Sequence, residues 1–308
     1  MTRVASYSHN QSLLQGMLRN QADLYKTQQQ INTGKKADDY KGIAPQASTV
    51  VTARAAMSRT EAYKDTANEI SQTLSLIDLK TGSMLEATEA LKQSILEALA
   101  MDNGQGFGEI LESNFQMIAS ALNTKIGNSY LFGGGQTTEK PFTATSLDDL
   151  AGLASASDAF VNDQTKSSVR VTDTFTMQYG VLADEVATPV MEVIKALKEF
   201  HDDPMTGPIN GDLTPAQVTF LEARLADIDA ATQGMRTIQT ANGLRQSQMK
   251  DVTEQLKQQS VYYETFVADI EDVDMAEAIT RFNADQAALE VSYRAVSLIS
   301  QLNLSKYI

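Results

Sequence analysis

The side chains with the most reactive chemistry in this sequence are two histidines. His9 and His201 could each serve as a general acid or base. His9 lies among polar residues near the start, and His201 falls at a predicted helix end, where a cation commonly interacts with the last carbonyl groups. Zinc would need more ligands than two histidines offer, and the chain has no cysteine. We therefore predict no catalytic residue, no cofactor site and no metal site.

Four carboxylates precede the last predicted helix: Asp269, Glu271, Asp272 and Asp274. They could bind calcium, but their spacing lacks the glycine and the distant glutamate of an EF-hand loop. Acidic residues just before a helix usually cap it, so we predict capping here. We interpret Asp38 and Asp39 in the same way, with a polar network around Lys35 and Lys36 as the alternative.

The glycine run at residues 133–135 could suggest a loop that holds phosphate. A P-loop would continue into Gly-Lys-Ser or Gly-Lys-Thr and then open a helix, which this run does not do. We therefore predict a tight turn.

Composition excludes several partners. Net charge is −14 and the isoelectric point is about 4.6, so nucleic acid would be repelled. The basic residues are scattered, no apolar run is long enough to cross a bilayer, and the first residues do not resemble a cleaved secretory signal. We expect no nucleic acid, no membrane and no small-molecule substrate as a partner.

Two long segments have helical apolar spacing. The first runs from residue 46 to 101 with no proline, and its stripe contains Ile70, Leu74, Ile77, Met84, Leu91 and Ile95. A helix of about 55 residues would span roughly 80 Å. The second long helix is predicted from about Pro215 to Ile270. Helices of this length are typical of a helical bundle or coiled coil.

Residues 137–181 differ in character, being rich in Ser, Thr and Asp. Apolar residues occupy nearly every second position from Val169 to Tyr179, which predicts a half-buried strand or hairpin. Shorter helices are predicted on either side, at 109–126 and at 182–200.

The order of these elements is nearly palindromic, which predicts a chain folded back on itself. The predicted fold is mainly α, an elongated antiparallel helical rod with a small β-containing insert. We predict a terminal assembly domain (1–31 with 272–308), a rod domain (32–136 with 182–271) and an outer insert (137–181).

Both chain ends are amphipathic, although chain ends are usually polar and frayed. We predict that they fold on packing against sister subunits. The candidate interface residues are Val4, Tyr7, Leu14, Leu18, Tyr25, Ile279, Phe282, Leu289, Tyr293, Val296, Leu298, Ile299 and Leu302.

Two segments resemble the bacterial flagellin superfamily as a whole. Residues 31–44, with Ile-Asn-Thr-Gly-Lys-Lys followed by Asp-Asp-Tyr-Lys-Gly-Ile-Ala, resemble its N-terminal loop, and residues 269–277 resemble its C-terminal one. The turn Tyr-Leu-Phe-Gly-Gly at 130–134, the short insert and the Leu- and Asn-rich ending are most similar to members that join hook to filament. Residues 303–306 are more polar than that ending usually is, and the loop at 37–44 is more similar to filament flagellins.

The resemblance implies a structural role in the flagellum, outside the cell, after export without a cleaved signal. It also implies self-assembly into a ring or tube, contacts with an adjacent hook-associated protein and with flagellin, and an export chaperone on the C-terminal helix. A filament flagellin is the first alternative. More distant ones are an enzyme housed in the insert and a type III needle-tip protein.

Overall fold

The structure is a computed structural model that describes residues 2–304, with side chains from Gln11 to Leu298. The helices found there are α1 (Thr2–Thr33), α2 (Ala47–Met101), α3 (Phe107–Leu122), α4 (Leu147–Ala151), α5 (Ala183–Asp202), α6 (Pro215–Glu271) and α7 (Met275–Leu304). Two antiparallel strand pairs accompany them: β1 (Lys125–Ile126) with β2 (Ser129–Tyr130), and β3 (Ser168–Arg170) with β4 (Thr176–Gln178).

The predicted fold class is confirmed, since the chain is mainly α with a small β content. The long helix α2 ends at Met101, because Asp102 adopts a left-handed conformation (φ 50°) and Gly104 follows two residues later. The period-two segment forms the hairpin β3–β4, in which Val169 pairs with Met177. That predicted hairpin is also confirmed.

The chain divides into two compact units. The terminal unit contains the residues up to Arg59 and those from Gln258 onward, whereas the central unit is Thr60–Lys257. Both α2 and α6 contribute residues to each unit. The division into three domains that the sequence suggests follows different boundaries, and it stays a prediction.

The central unit has a large apolar core. Its helices α2 and α6 run antiparallel, as shown by ion pairs that join Glu89 to Arg236 and Lys92 to Asp229. The largest fully buried side chains of this unit are Phe107, Phe115, Phe132, Phe142, Leu74, Ile77, Met84, Leu91, Ile95, Leu111, Ile118 and Leu122. This core positions the insert, because Phe142 packs between Phe115 and Phe160.

The β3–β4 hairpin packs on the same unit. Val171 and Met177 are buried, and they belong to one apolar cluster with side chains of α2 and α6: Ala67, Ile70, Leu74, Met249 and Leu256. The Tyr63 hydroxyl donates to Asp173 Oδ1 at 2.8 Å and anchors the hairpin tip. The apolar face of the hairpin therefore packs against α2 and α6 within the central unit.

The terminal unit contains the α1–α7 pair and a small cluster. The cluster is built on Val50 and Ala53 of α2 and Val267 of α6. Asn20 forms a hydrogen bond with Ser292, and Thr27 forms one with Asp285. Because the later residue of α1 contacts the earlier residue of α7, the two helices run antiparallel. The predicted contact between the first and last helices is therefore present.

Candidate assembly interface

A polar seam sets the register of α1 against α7. Thr27 is buried, and its hydroxyl donates to Asp285 Oδ2 at 2.8 Å. Asn20 Nδ2 donates to Ser292 Oγ, also at 2.8 Å. Because each bond joins residues more than 250 positions apart, this seam could not be recognised from local sequence pattern.

Three of the predicted interface residues face α1 of the same chain. Phe282, Leu289 and Val296 are half-buried. They lie three or four positions from Asp285 or Ser292, which places them on the helix face that carries the seam. Some of the apolar surface expected to meet neighbouring subunits is therefore covered within the chain.

Six other predicted interface residues are about half exposed or more, although the hydroxyl of Tyr293 also accepts from Gln21 Nε2 of α1 at 3.5 Å. Their exposed fractions range from 48% for Ile279 and Tyr293 to 68% for Tyr25; the other three are Leu14, Leu18 and Leu298. Val291 of α7, which is not one of the predicted interface residues, is also 65% exposed. Val4, Tyr7, Ile299 and Leu302 lie outside the residues whose side chains are described. Clustered exposed apolar side chains of this kind mark interaction surfaces.

A charged cluster lies beside this helix pair, in the loop that follows α1. Arg54 Nη2 donates to Glu271 Oε2 at 2.6 Å, and Lys35 Nζ lies 3.6 Å from the same oxygen. Lys35 also bonds Asp272, and this hydrogen bond is the main cause that raises the pKa of Lys35. The hydrogen bond to Glu271 likewise raises the pKa of Arg54. Both cations therefore stay charged at any physiological pH.

Backbone bonds tie the same loop to the start of α7. Lys36 N donates to Glu271 O at 2.7 Å, and Val273 N donates to Gly34 O at 2.9 Å. The Lys36 side chain donates to the carbonyl groups of Asp269 and Ile270, so it caps the C-terminus of α6. The loop is thereby joined to the segment between α6 and α7.

The expected network around Lys35 and Lys36 is present, with partners from residues 269–272. Asp39 instead accepts from the backbone N–H groups of Lys41 and Gly42 and stabilises its own turn. Asp274 Oδ1 accepts from the N–H groups of Ala276 and Glu277, so the predicted capping of α7 is confirmed there.

The remaining chemical candidates have structural roles. His201 Nδ1 accepts from the Ile209 N–H at 3.2 Å in the last turn of α5. The side chain of His9 lies outside the described ones. The glycine run forms the predicted turn, and the N–H of Gly135 donates to Asp163 Oδ1 at 2.7 Å. This bond and the Thr165 N–H lower the pKa of Asp163.

The described residues offer neither a metal site nor a membrane span. Among them, no group of three or more His, Cys, Asp and Glu side chains is placed to hold a metal ion. Over the same stretch of chain, no helix is both long and apolar enough to cross a membrane.

The C-terminal region matches a known protein family. Residues 225–308 match the family model of the bacterial flagellin C-terminal helical region. That match contains all of α7, and it confirms the resemblance to the flagellin superfamily. No curated protein matches the chain in sequence.

Two solved structures have a similar fold. A Vibrio parahaemolyticus protein described as a flagellar hook-associated protein is 17% identical, with a TM-score of 0.59 over 76% of this chain and 99% of its own. FlgL from Bacillus cereus is 15% identical, with a TM-score of 0.55 over 71% of this chain and 99% of its own.

Proposed function

We propose that this chain, which carries the flagellin C-terminal helical region in residues 225–308, is a structural subunit of the bacterial flagellum at the junction of hook and filament. The observation that carries the proposal is the α1–α7 pair and its exposed apolar side chains. The helix α7 lies within the region that matches flagellins, and α1 packs against it. A helix pair with exposed apolar residues on its outer surface is stable only when neighbours cover them.

Assembly would bury these outward residues between subunits. Leu14 and Leu18 lie one turn apart on α1, and Ile279 and Tyr293 lie two heptads apart on α7, so each helix offers a stripe. Burying one leucine is worth about 1.5–3 kcal/mol, and the gain is repeated in every subunit. The polar seam of Thr27 and Asp285 would fix which stripe points outward.

The other elements of the proposal depend on the resemblance. The partners would be further copies of this chain, an adjacent hook-associated protein and flagellin, with an export chaperone on α7 before assembly. The location would be the flagellum outside the cell, reached without a cleaved signal. Nothing in the described geometry assigns a catalytic residue, and we propose no enzymatic activity.

A role at the junction is favoured over a role in the filament by the similar fold of the Vibrio parahaemolyticus hook-associated protein and by the turn at residues 130–134. The deciding experiment is a seeded assembly assay followed by electron microscopy. A junction subunit should add to hook ends and stop as a short ring, whereas growth of long filaments from seeds would contradict the proposal and identify a filament flagellin.

A truncation tests the assembly mechanism separately. Removal of residues 285–308 should leave a soluble, folded central unit that does not assemble, because most of α7 (Met275–Leu304) is lost. Normal incorporation of the truncated chain would refute the role given to α7. Substitutions at Asp158, Asp163 and Asp173 test the alternative of an enzyme in the insert, and unchanged motility in these variants would argue against an active site there.

A further inference from the structure

A strict heptad runs along the buried face of α6 and contains a single asparagine. Its fully or almost fully buried positions are Leu221, Ile228, Met235, Asn242, Met249 and Leu256. Asn242 has no exposed surface at all, and the positions one heptad before and after it are both methionine. A polar residue at one such position usually has a structural purpose, because it costs stability relative to an apolar one.

The Asn242 amide is bonded on one side only. Its Nδ2 donates to the carbonyl oxygen of Leu74 on α2 at 2.9 Å, and Gln246 Nε2 donates to the same oxygen at 3.1 Å. The Oδ1 of Asn242 is buried without a hydrogen-bond partner. Such a group costs about 1–3 kcal/mol, so this layer is a weak point of the helix pair.

The apolar core of the central unit separates into two clusters at this layer. The larger cluster contains Ile77 of α2 and Met235 of α6, and extends through α3 and α5. The smaller one contains Leu74 of α2 and Met249 of α6, and includes the β3–β4 hairpin. Asn242 falls between Met235 and Met249, so the polar layer coincides with the boundary between the clusters.

The hydrogen bonds from Asn242 and Gln246 fall on a carbonyl group inside α2. A carbonyl inside an α-helix already accepts the N–H group four residues further on. Two additional side-chain donors on the Leu74 carbonyl compete with that bond, and side chains that insert into the helical ladder are a known cause of bending. The Leu74 carbonyl therefore accepts two side-chain donors from α6, while α2 remains an unbroken helix from Ala47 to Met101.

We infer that the Asn242 layer is a built-in boundary that lets the hairpin-bearing segment of the α2–α6 pair open while the larger core stays closed. Sub-global opening of this kind occurs in contiguous units whose limits follow the packing. The opening segment consists of residues 60–74 and 249–257 with the hairpin at 168–178. This inference does not depend on the proposed flagellar function.

Hydrogen exchange of the full chain, followed by mass spectrometry, tests the inference. In the wild type, amides of the opening segment should exchange at least tenfold faster than those at 84–98 and 221–235. Asn242→Leu should slow hydrogen exchange in the opening segment about tenfold. The exchange rates of the two regions should then become similar. Asn242→Met is measured in parallel, because methionine already occupies the neighbouring heptad positions.

Thr232→Val is the matched control. The Thr232 hydroxyl is also buried without a hydrogen-bond partner, but it lies well inside the larger core, so its replacement should leave the ratio of the two exchange rates unchanged. Equal protection of the two regions in the wild type would overturn the inference. So would an unchanged ratio in both Asn242 variants, or a change in Thr232→Val as large as theirs.

Discussion

The terminal and central units use their apolar residues in opposite ways. In the central unit, four phenylalanines are fully or almost fully buried among leucines, isoleucines and methionines. Among the described residues of the terminal unit, the buried apolar side chains are small: Val50, Ala53, Val267 and Ala278. Between Gln11 and Leu298, the leucines and tyrosines of this unit are half-buried or exposed, and Tyr25 and Leu298 are more than 60% exposed.

This contrast indicates where each unit obtains its stability. A core of large buried side chains offsets the entropy lost when the central unit becomes ordered within one molecule. The terminal unit relies on a polar seam, a few small residues and an ion-pair cluster, which together contribute little. This difference in buried apolar side chains is expected of a subunit whose central unit folds alone and whose terminal unit packs against neighbouring subunits.

The largest expected effect is the loss of assembly through the outer surface of α1. Leu18→Glu places a charge on a side chain that is 53% exposed and therefore contributes little to folding within the chain. Assembly should require at least tenfold more protein, because a buried charge replaces a buried leucine. Sedimentation and electron microscopy measure the change.

The control is Met205→Glu, at a loop position of the central unit that is 93% exposed. It should assemble like the wild type. Unimpaired assembly of Leu18→Glu would show that the outer surface of α1 is not an interface.

Truncation of a phenylalanine in each unit sharpens the comparison. Phe115→Ala should lower the free energy of unfolding by about 3–5 kcal/mol, because Phe115 is fully buried in the larger core. Phe282→Ala should cost the monomer less than about 1 kcal/mol, because Phe282 is half-buried on a helix pair that is only marginally stable without its neighbours. Urea denaturation followed by circular dichroism gives both values. Equal losses of unfolding free energy in the two variants would contradict the difference between the units.

The charged cluster of the terminal unit should have a moderate effect. Glu271→Gln leaves Arg54 and Lys35 without their shared carboxylate, and should cost about 1–2 kcal/mol at low salt, because both cations are partly exposed. The loss should shrink in high salt. Glu61→Gln breaks the partly exposed pair with Lys64, three residues away on the same helix, and is the control, with an expected cost below about 0.5 kcal/mol. A Glu271→Gln cost no larger than the control would show that the cluster does not hold the loop.

The smallest effect is a pH dependence in the central unit. The Gly135 N–H lowers the pKa of Asp163 below its ordinary value of 3.8. A lowered pKa stabilises the fold above the unfolded pKa, and that contribution is lost as the pH falls through the folded one. The melting temperature of Asp163→Asn should therefore be below that of the wild type at pH 6, and the difference should close as the pH falls below about 4. A difference that stays constant down to pH 2 would be inconsistent with this role.

Periodicity predicted the elements but not their contacts. The bounds of α2 and α6 followed from apolar spacing, from the absence of proline between residues 46 and 101, and from Pro215. The hairpin followed from alternation between Val169 and Tyr179. These are local signals, so a single sequence suffices for them.

Contacts between distant residues left no such local signal. The bonds from Thr27 to Asp285 and from Lys36 to Asp269 join opposite ends of the chain, and a polar residue on a helix does not identify its partner. The packing of the hairpin on Leu74 and Met249 was likewise not predicted. Asn242 could have been found, because it interrupts a seven-residue apolar repeat, but the repeat on α6 becomes evident only once the buried positions are known.

The central claim is that the terminal unit is completed by neighbouring subunits. Hydrogen exchange of the dilute monomer and of the assembled form tests it most directly. Amides of α1 and α7 should exchange quickly in the monomer and become strongly protected on assembly, while those near Phe115 stay protected in both. Protection of α1 and α7 in the monomer as strong as that near Phe115 would contradict the claim.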